Sequence, residues 1–256
     1  MIVRDALDSS ALECGTFTMT PSMQESAFQR PEARVEWNRF LRGRFMVFDG
    51  PDGSGKSTQF KMFSNWVRGH WSVPVTEVRE PGGTSIGEQI RTILLDPKND
   101  PMTVRCEMLL YMASRAQLLA ERIRPALEAG HLVLSDRFVS STLAYQGTAG
   151  GLSRDEIISV ARVAVGDLWP HNIVIFDVDV ATAAKRLNPL LDRMEQKGAI
   201  FHERVRQGYL QQAREDPKRV TVLDATRDQD RVFGDLLQAL TLHAQAYGPT
   251  VGTPTS

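Results

Sequence analysis

Residues Gly50-Pro51-Asp52-Gly53-Ser54-Gly55-Lys56-Ser57 carry the spacing G-x-x-x-x-G-K-[ST], a pattern whose chemistry is the holding of a polyphosphate. Glycines let successive backbone N–H groups turn toward phosphate oxygens, and a following helix adds the partial positive charge of its N-terminus. Lys56 would reach the β- and γ-phosphates of a nucleoside triphosphate, and the Ser57 hydroxyl would ligate Mg²⁺, with Thr58 next in the same cradle. The plainer reading is a glycine-rich turn that only caps a helix. The apolar run Phe45-Met46-Val47-Phe48 before the loop and the helix-like segment after it favour the phosphate loop.

Other segments add groups suited to a second ligand. The apolar run from His131 to Ser135 closes in Asp136-Arg137. There a carboxylate would join the Mg²⁺ shell and a guanidinium could clamp a phosphate. Arg79-Glu80-Pro81-Gly82-Gly83-Thr84 is a tight turn with Arg91 following on a helix; solvated arginines beside a structural turn are the alternative. Tyr111 and Arg115 are four apart, so they share a helical face. A stacking ring beside a guanidinium suits a planar base, although an aromatic at that spacing also suits a core. The run Ser140–Gly147, with Ser141 and Gln146, offers hydroxyls and an amide that could read a base edge or cap a helix. Lys185 to Gly198 (KRLNPLLDRMEQKG) puts Arg186 and Arg193 around an Asn-Pro turn. It reads as a short cationic lid or as a plain charged loop.

The elements that must position these groups alternate. Strand-like runs cover Arg44–Asp49, Val73–Arg79, His131–Ser135, Ile173–Val178 and Val220–Asp224. Helical patterns cover about 56–68, 85–95, 102–129, 139–146, 153–165, 180–187, 199–215 and 228–245. Short apolar strands between amphipathic helices predict an α/β fold, a five-stranded parallel sheet flanked by helices on both faces. Ligands bind such sheets beyond the carboxyl ends of the strands, where most of the polar signals sit. Residues 1–42 are expected to be an N-terminal extension, with a possible short helix over Arg34–Arg42. The catalytic domain is expected over 43–246 with a lid at about 186–198, and a frayed tail over 247–256.

Composition narrows the function class. The chain has 256 residues, 42% hydrophobic and 24% charged, enough for one sizeable α/β domain. A net charge of −1 argues against an extended nucleic-acid interface. Two cysteines make neither a disulfide framework nor a zinc site. No run is long enough for a membrane span, and the N-terminus lacks a signal-peptide core, so a cytoplasmic location is expected.

In order, FDGPDGSGKSTQ, REPGGTSIGEQIRTILLD, LLYMASRAQ, SDRF with SSTLAYQG, IFDVDV and DRMEQKGAIFHERVRQGYL resemble the thymidylate kinases, from about residue 44 to 245. The resemblance implies the P-loop fold of nucleoside monophosphate kinases and transfer of the ATP γ-phosphoryl group to dTMP, with Mg²⁺ as cofactor and a homodimer as assembly. It implies that Gly50–Thr58 holds ATP and that Ser57 and Asp136 hold the metal. Asp52 would lie near the dTMP sugar and phosphate, with Arg79 and Arg91 at the same substrate. Tyr111 would stand for a stacking Phe, Arg115 would bond a thymine oxygen, and Arg137 would grip the dTMP phosphate. Ser141 and Gln146 would lie along the base, and Asp224-Ala225-Thr226 would border adenine. Because the P-loop lacks an arginine, catalytic arginines are expected from the lid: Arg193 first, Arg186 as helper, beside Lys56 and Arg137. A kinase for another pyrimidine nucleotide or deoxynucleoside, and a catalytically silent nucleotide-binding module, remain as alternatives.

Overall fold

The computed structural model describes residues 37–186 and 192–247. Most of the expected extension, Leu187–Leu191 of the expected lid, and the tail from residue 248 therefore lie outside the described residues.

The alternation of apolar strands and amphipathic helices becomes one five-stranded sheet. In it β1 (Phe45–Asp49), β2 (Val75–Arg79), β3 (Leu132–Asp136), β4 (Asn172–Asp177) and β5 (Val220–Asp224) run parallel in the order β2-β3-β1-β4-β5. β1 is central and wholly buried, and its side chains divide by the two-residue period of a strand. Met46 and Phe48 join one core with Leu132, Leu134, Val174 and Phe176, while Phe45 and Val47 join a second core with Val133. Helices α1 (Lys56–His70) and α9 (Gln229–Tyr247) cover the first face. Helices α3 (Val104–Leu118) and α6 (Arg154–Val165) cover the second. Helix α8 (Ala199–Glu215) packs Val205 and Tyr209 with Ile175 and Val220 in a third core, while α2 (Ser85–Leu95) and α7 (Val180–Arg186) follow the carboxyl ends of β2 and β4 in the chain.

Three features depart from expectation. The helix anticipated over 102–129 is α3, a wide turn at Leu119–Ile123 and a short α4 (Arg124–Glu128). Pro125 lacks the N–H that a regular helix would use there, which accounts for the widened turn ahead of it. The helix expected over 139–146 is likewise only one turn, α5 (Val139–Thr142), before a wide-turn segment, Leu143–Ala149. The third concerns the domain boundary expected at residue 43. Residues 37–41 are helical, and Trp37, Phe40 and Leu41 are buried in the first core. Trp37 stacks on Trp71 at 5.8 Å and meets Trp66 edge-on at 5.3 Å. An aromatic cluster of that area holds its segment to the domain, so the core begins before the expected boundary.

Candidate active site

Strand β1 ends in Asp49, and the chain then turns over Gly50–Gly55 into α1. At Gly50 (φ 142°) a Cβ would lie 2.5 Å from the Phe176 carbonyl oxygen, and at Gly53 (φ 75°) 2.5 Å from that of Ala183. Only glycine fits either position, because both the space and the backbone conformation exclude a side chain. Lys56 opens α1 and its Nζ lies 3.8 Å from Asp52 Oδ1. Burial, then the nearby Arg137, lowers the Lys56 ammonium from its ordinary value.

β3 pairs with β1 so that Asp136 stands opposite Phe48, which brings the end of β3 beside the loop. Ser57 Oγ donates to Asp136 Oδ2 at 3.4 Å, while the buried Asp136 Oδ1 has no hydrogen-bond partner. Two hard oxygen donors, one of them unsatisfied, fit a Mg²⁺ ion. Among the described residues no cluster of three His, Cys, Asp or Glu forms a metal cage. Such an ion would complete its shell with water and phosphate oxygens, as Mg²⁺ commonly does.

Arg137 follows in a left-handed conformation (φ 74°), rare for a residue with a side chain and a form of local strain found at functional sites. Its guanidinium is held from several sides. It pairs with Asp52, donates to Ser141 Oγ at 3.0 Å and Tyr209 OH at 3.1 Å, and lies 5.2 Å from the Tyr145 ring centre. Burial opposes its charge, but Tyr145, Asp52, Tyr209 and Asp49 outweigh burial and raise the group well above its ordinary value. Tyr145 donates to Asp52 Oδ2 at 2.6 Å. Burial pushes the Asp52 carboxyl up, yet Arg137, Lys56 and Tyr145 prevail and hold it at about 2.

A cavity of about 230 Å³ opens over these groups, and Asp52, Lys56, Arg79, Arg91, Tyr111, Asp136, Arg137, Ser141 and Gln146 all line it. The structure thus brings together nine residues singled out from sequence. Arg79 Nη1 and Arg91 Nη1 both donate to the Pro81 carbonyl at 3.0 Å, which aims the two side chains at one wall. Burial, then Arg79, lowers Arg91 from its ordinary value. Burial, then Glu107, raises the Tyr111 hydroxyl.

Other expected residues sit elsewhere. Arg115 is fully buried and does not line the cavity: it bonds Glu80 Oε2 through Nε at 2.7 Å and Thr142 Oγ1 at 3.3 Å. It supports the pocket floor through Glu80, whose Oε1 is buried and unpartnered and whose carboxyl burial pushes up to about 7 despite Arg115. Arg193 is 2% exposed; it pairs with Glu107 and donates from Nε to the Leu94 carbonyl at 2.8 Å. The expectation of a leading catalytic Arg193 is not met by this geometry, because a buried Glu107 claims the guanidinium. Arg186 lies nearer the phosphate loop. It donates to the Ala225 and Thr226 carbonyls at 2.8 and 3.2 Å, and a Cβ on Gly55 would come within 4.0 Å of its Nη1.

Sequence reasoning missed Asp49, Tyr209, Glu80 and Glu107. Asp49 is completely buried and accepts from Tyr209 OH at 2.6 Å, Ser140 Oγ at 2.6 Å and Ser141 Oγ at 2.7 Å. It closes an apolar strand as Asp136 does, a signal that was visible. Glu107 lies on the buried stripe of α3 with Met108, Met112 and Arg115, and an acidic residue on such a stripe needs a partner.

The model of the thymidylate kinase family matches residues 48–235. The chain is 46% identical over 193 residues to a thymidylate kinase of Symbiobacterium thermophilum, covering 75% of this chain and 90% of that one. It is 42% identical over 204 residues to a thymidylate kinase of Enterococcus faecalis, covering 78% of this chain and 96% of that one. The crystal structure of a thymidylate kinase from Ehrlichia chaffeensis is similar with a TM-score of 0.64 at 31% identity, over 77% of this chain and 98% of the other.

Proposed function

This chain belongs to the thymidylate kinase family, and from that premise we infer that it phosphorylates dTMP to dTDP with ATP as donor. The observation that carries the reading is the Asp52–Arg137 pair, because it joins a residue inside the phosphate loop to a guanidinium at the wall of the cavity that opens beside that loop. One loop therefore serves two nucleotides.

Gly50–Thr58 cradles the ATP phosphates, with Lys56 on the oxygens that gain charge during transfer. Ser57 and Asp136 are the residues that would hold Mg²⁺, which when bound screens phosphate charge. Arg137 grips the dTMP phosphate, held in place by Asp52, Ser141 and Tyr209. Tyr111 supplies the stacking face for the base, and Ser141 and Gln146 its polar contacts, with Arg79 and Arg91 at the wall they share. Arg115 acts on this end of the site through Glu80. A phosphate monoester is already largely ionised near neutral pH, so positioning and charge neutralisation dominate and no strong base is needed. We assign to Arg186, whose guanidinium lies near Gly55, the neutralising of charge beside the loop.

Initial-rate measurements of ADP release with dTMP, dUMP, dCMP and thymidine test this reading. We expect turnover with dTMP, none with thymidine, and loss of turnover when EDTA removes divalent cations. Turnover of thymidine without dTMP would contradict it. We further propose a homodimer built on α2 and α3. Ile86 and Ile93, two turns apart on α2, and Leu109 on α3 are 50%, 45% and 49% exposed, an apolar surface suited to a partner. Among the described residues no helix is long and apolar enough to cross a membrane. The exposed free thiol of Cys106 suits the reducing cytoplasm in which we place the enzyme.

A further inference from the structure

We propose that Glu107 sets the base selectivity of the pocket by fixing which end of the Gln146 amide faces it; this rests on the pyrimidine-monophosphate reading given above. Gln146 Nε2 donates to Glu107 Oε1 at 2.6 Å, and the two residues are 2% and 1% exposed. The other carboxylate oxygen pairs with Arg193 and lies 3.5 Å from Lys197 Nζ. A carboxylate in two ion pairs accepts hydrogen bonds and donates none. A hydroxyl in its place would tolerate either orientation of Gln146. Glu107 tolerates one, with the NH₂ group toward the carboxylate and the carbonyl away from it.

Gln146 lines the cavity, and its Oε1 receives no hydrogen bond from the described residues. The pocket is therefore offered an acceptor of fixed position. Thymine and uracil carry a hydrogen on N3 and match it; cytosine presents a lone pair there and sets two acceptors against each other. A site built around a buried hydrogen bond discriminates strongly against a base that cannot complete it. Glu107 touches no substrate in this scheme and acts through Gln146, as a positioning residue.

The test compares kcat/KM for dTMP, dUMP and dCMP at saturating ATP in the wild type and in Glu107→Gln, whose carbonyl oxygen Arg193 and Lys197 would hold, turning its NH₂ group toward Gln146. We expect the dTMP-to-dCMP ratio to fall at least about tenfold, equal to about 1.4 kcal/mol, with KM for dTMP rising more than kcat falls. The dTMP-to-dUMP ratio stays near the wild-type value, because both bases carry N3–H. A purely structural role would slow all three acceptors together, and an unchanged dTMP-to-dCMP ratio overturns the proposal. If E107Q loses its cooperative melt, Gln146→Met decides, since it leaves Glu107 its pairs with Arg193 and Lys197. The same loss of selectivity supports the proposal, and a wild-type ratio overturns it. A wild type that phosphorylates no pyrimidine monophosphate overturns the functional reading and this proposal together. An active wild type with unchanged selectivity in the variants overturns this proposal alone.

Discussion

Asp52 is one carboxylate shared by a phosphate-loop lysine, a substrate-side arginine and a tyrosine hydroxyl. Its folded-state value of about 2 lies below the ordinary 3.8. The ionised group therefore stabilises the fold above about pH 3.8, and that contribution is lost as pH falls through about 2. Asp52→Asn removes the titration, so melting temperatures measured from about pH 5 to about pH 2 should fall less steeply for the variant than for the wild type. Parallel curves would show that the Asp52–Arg137 pair carries no such linkage. At this scale the sequence was informative where a residue type sat in a motif, as Lys56, Asp136 and Arg137 do. It was silent on which way a guanidinium faces. Arg115 and Arg193 each sit in a segment expected to meet a nucleotide, yet each is claimed by a buried glutamate, Glu80 and Glu107, that lies 35 and 86 residues away in sequence. Spacing along one helix cannot register such partners.

Among the elements, the segment after α7 changes most in meaning. Asp192, Met194 and Glu195 line the pocket, and Arg193 fastens them by reaching back to the end of α2 and to α3. Arg186, at the end of α7, instead meets the β5 loop beside the phosphate cradle. The two arginines should therefore fail differently. Arg186→Ala should lower kcat at saturating ATP and dTMP by at least about tenfold, about 1.4 kcal/mol in barrier, with little change in melting temperature. Arg193→Ala removes the guanidinium from a buried carboxylate, leaving it only Lys197 and Gln146, and should cost about 3 kcal/mol of stability, measured by denaturant unfolding. The reverse pattern would return the catalytic duty to Arg193. Strands and helices themselves were legible because their apolar periods are strong. Their ends shifted by a residue or two, and the helix at 37–41 was undervalued, because its worth lies in Trp66 and Trp71, aromatic partners beyond β1.

For the whole molecule, alternating strand and helix patterns sufficed to predict a parallel sheet and a site at its carboxyl edge. The strand order was not legible, since each crossover helix can return its strand to either side and only packing selects one. Assembly belongs to this scale too. If Ile93 and Leu109 mark a homodimer interface, the wild type should sediment as a dimer, and Leu109→Glu should shift it toward monomer; a monomeric wild type would remove the proposal. The central claim is that the loop at Gly50–Thr58 and the cavity at Arg137 are two halves of one transfer site. It is tested most directly by following the γ-phosphoryl group itself. With γ-labelled ATP and unlabelled dTMP, the account predicts label at the β position of dTDP, matched one to one by ADP. Label released as inorganic phosphate, or found only on a nucleoside, would contradict it.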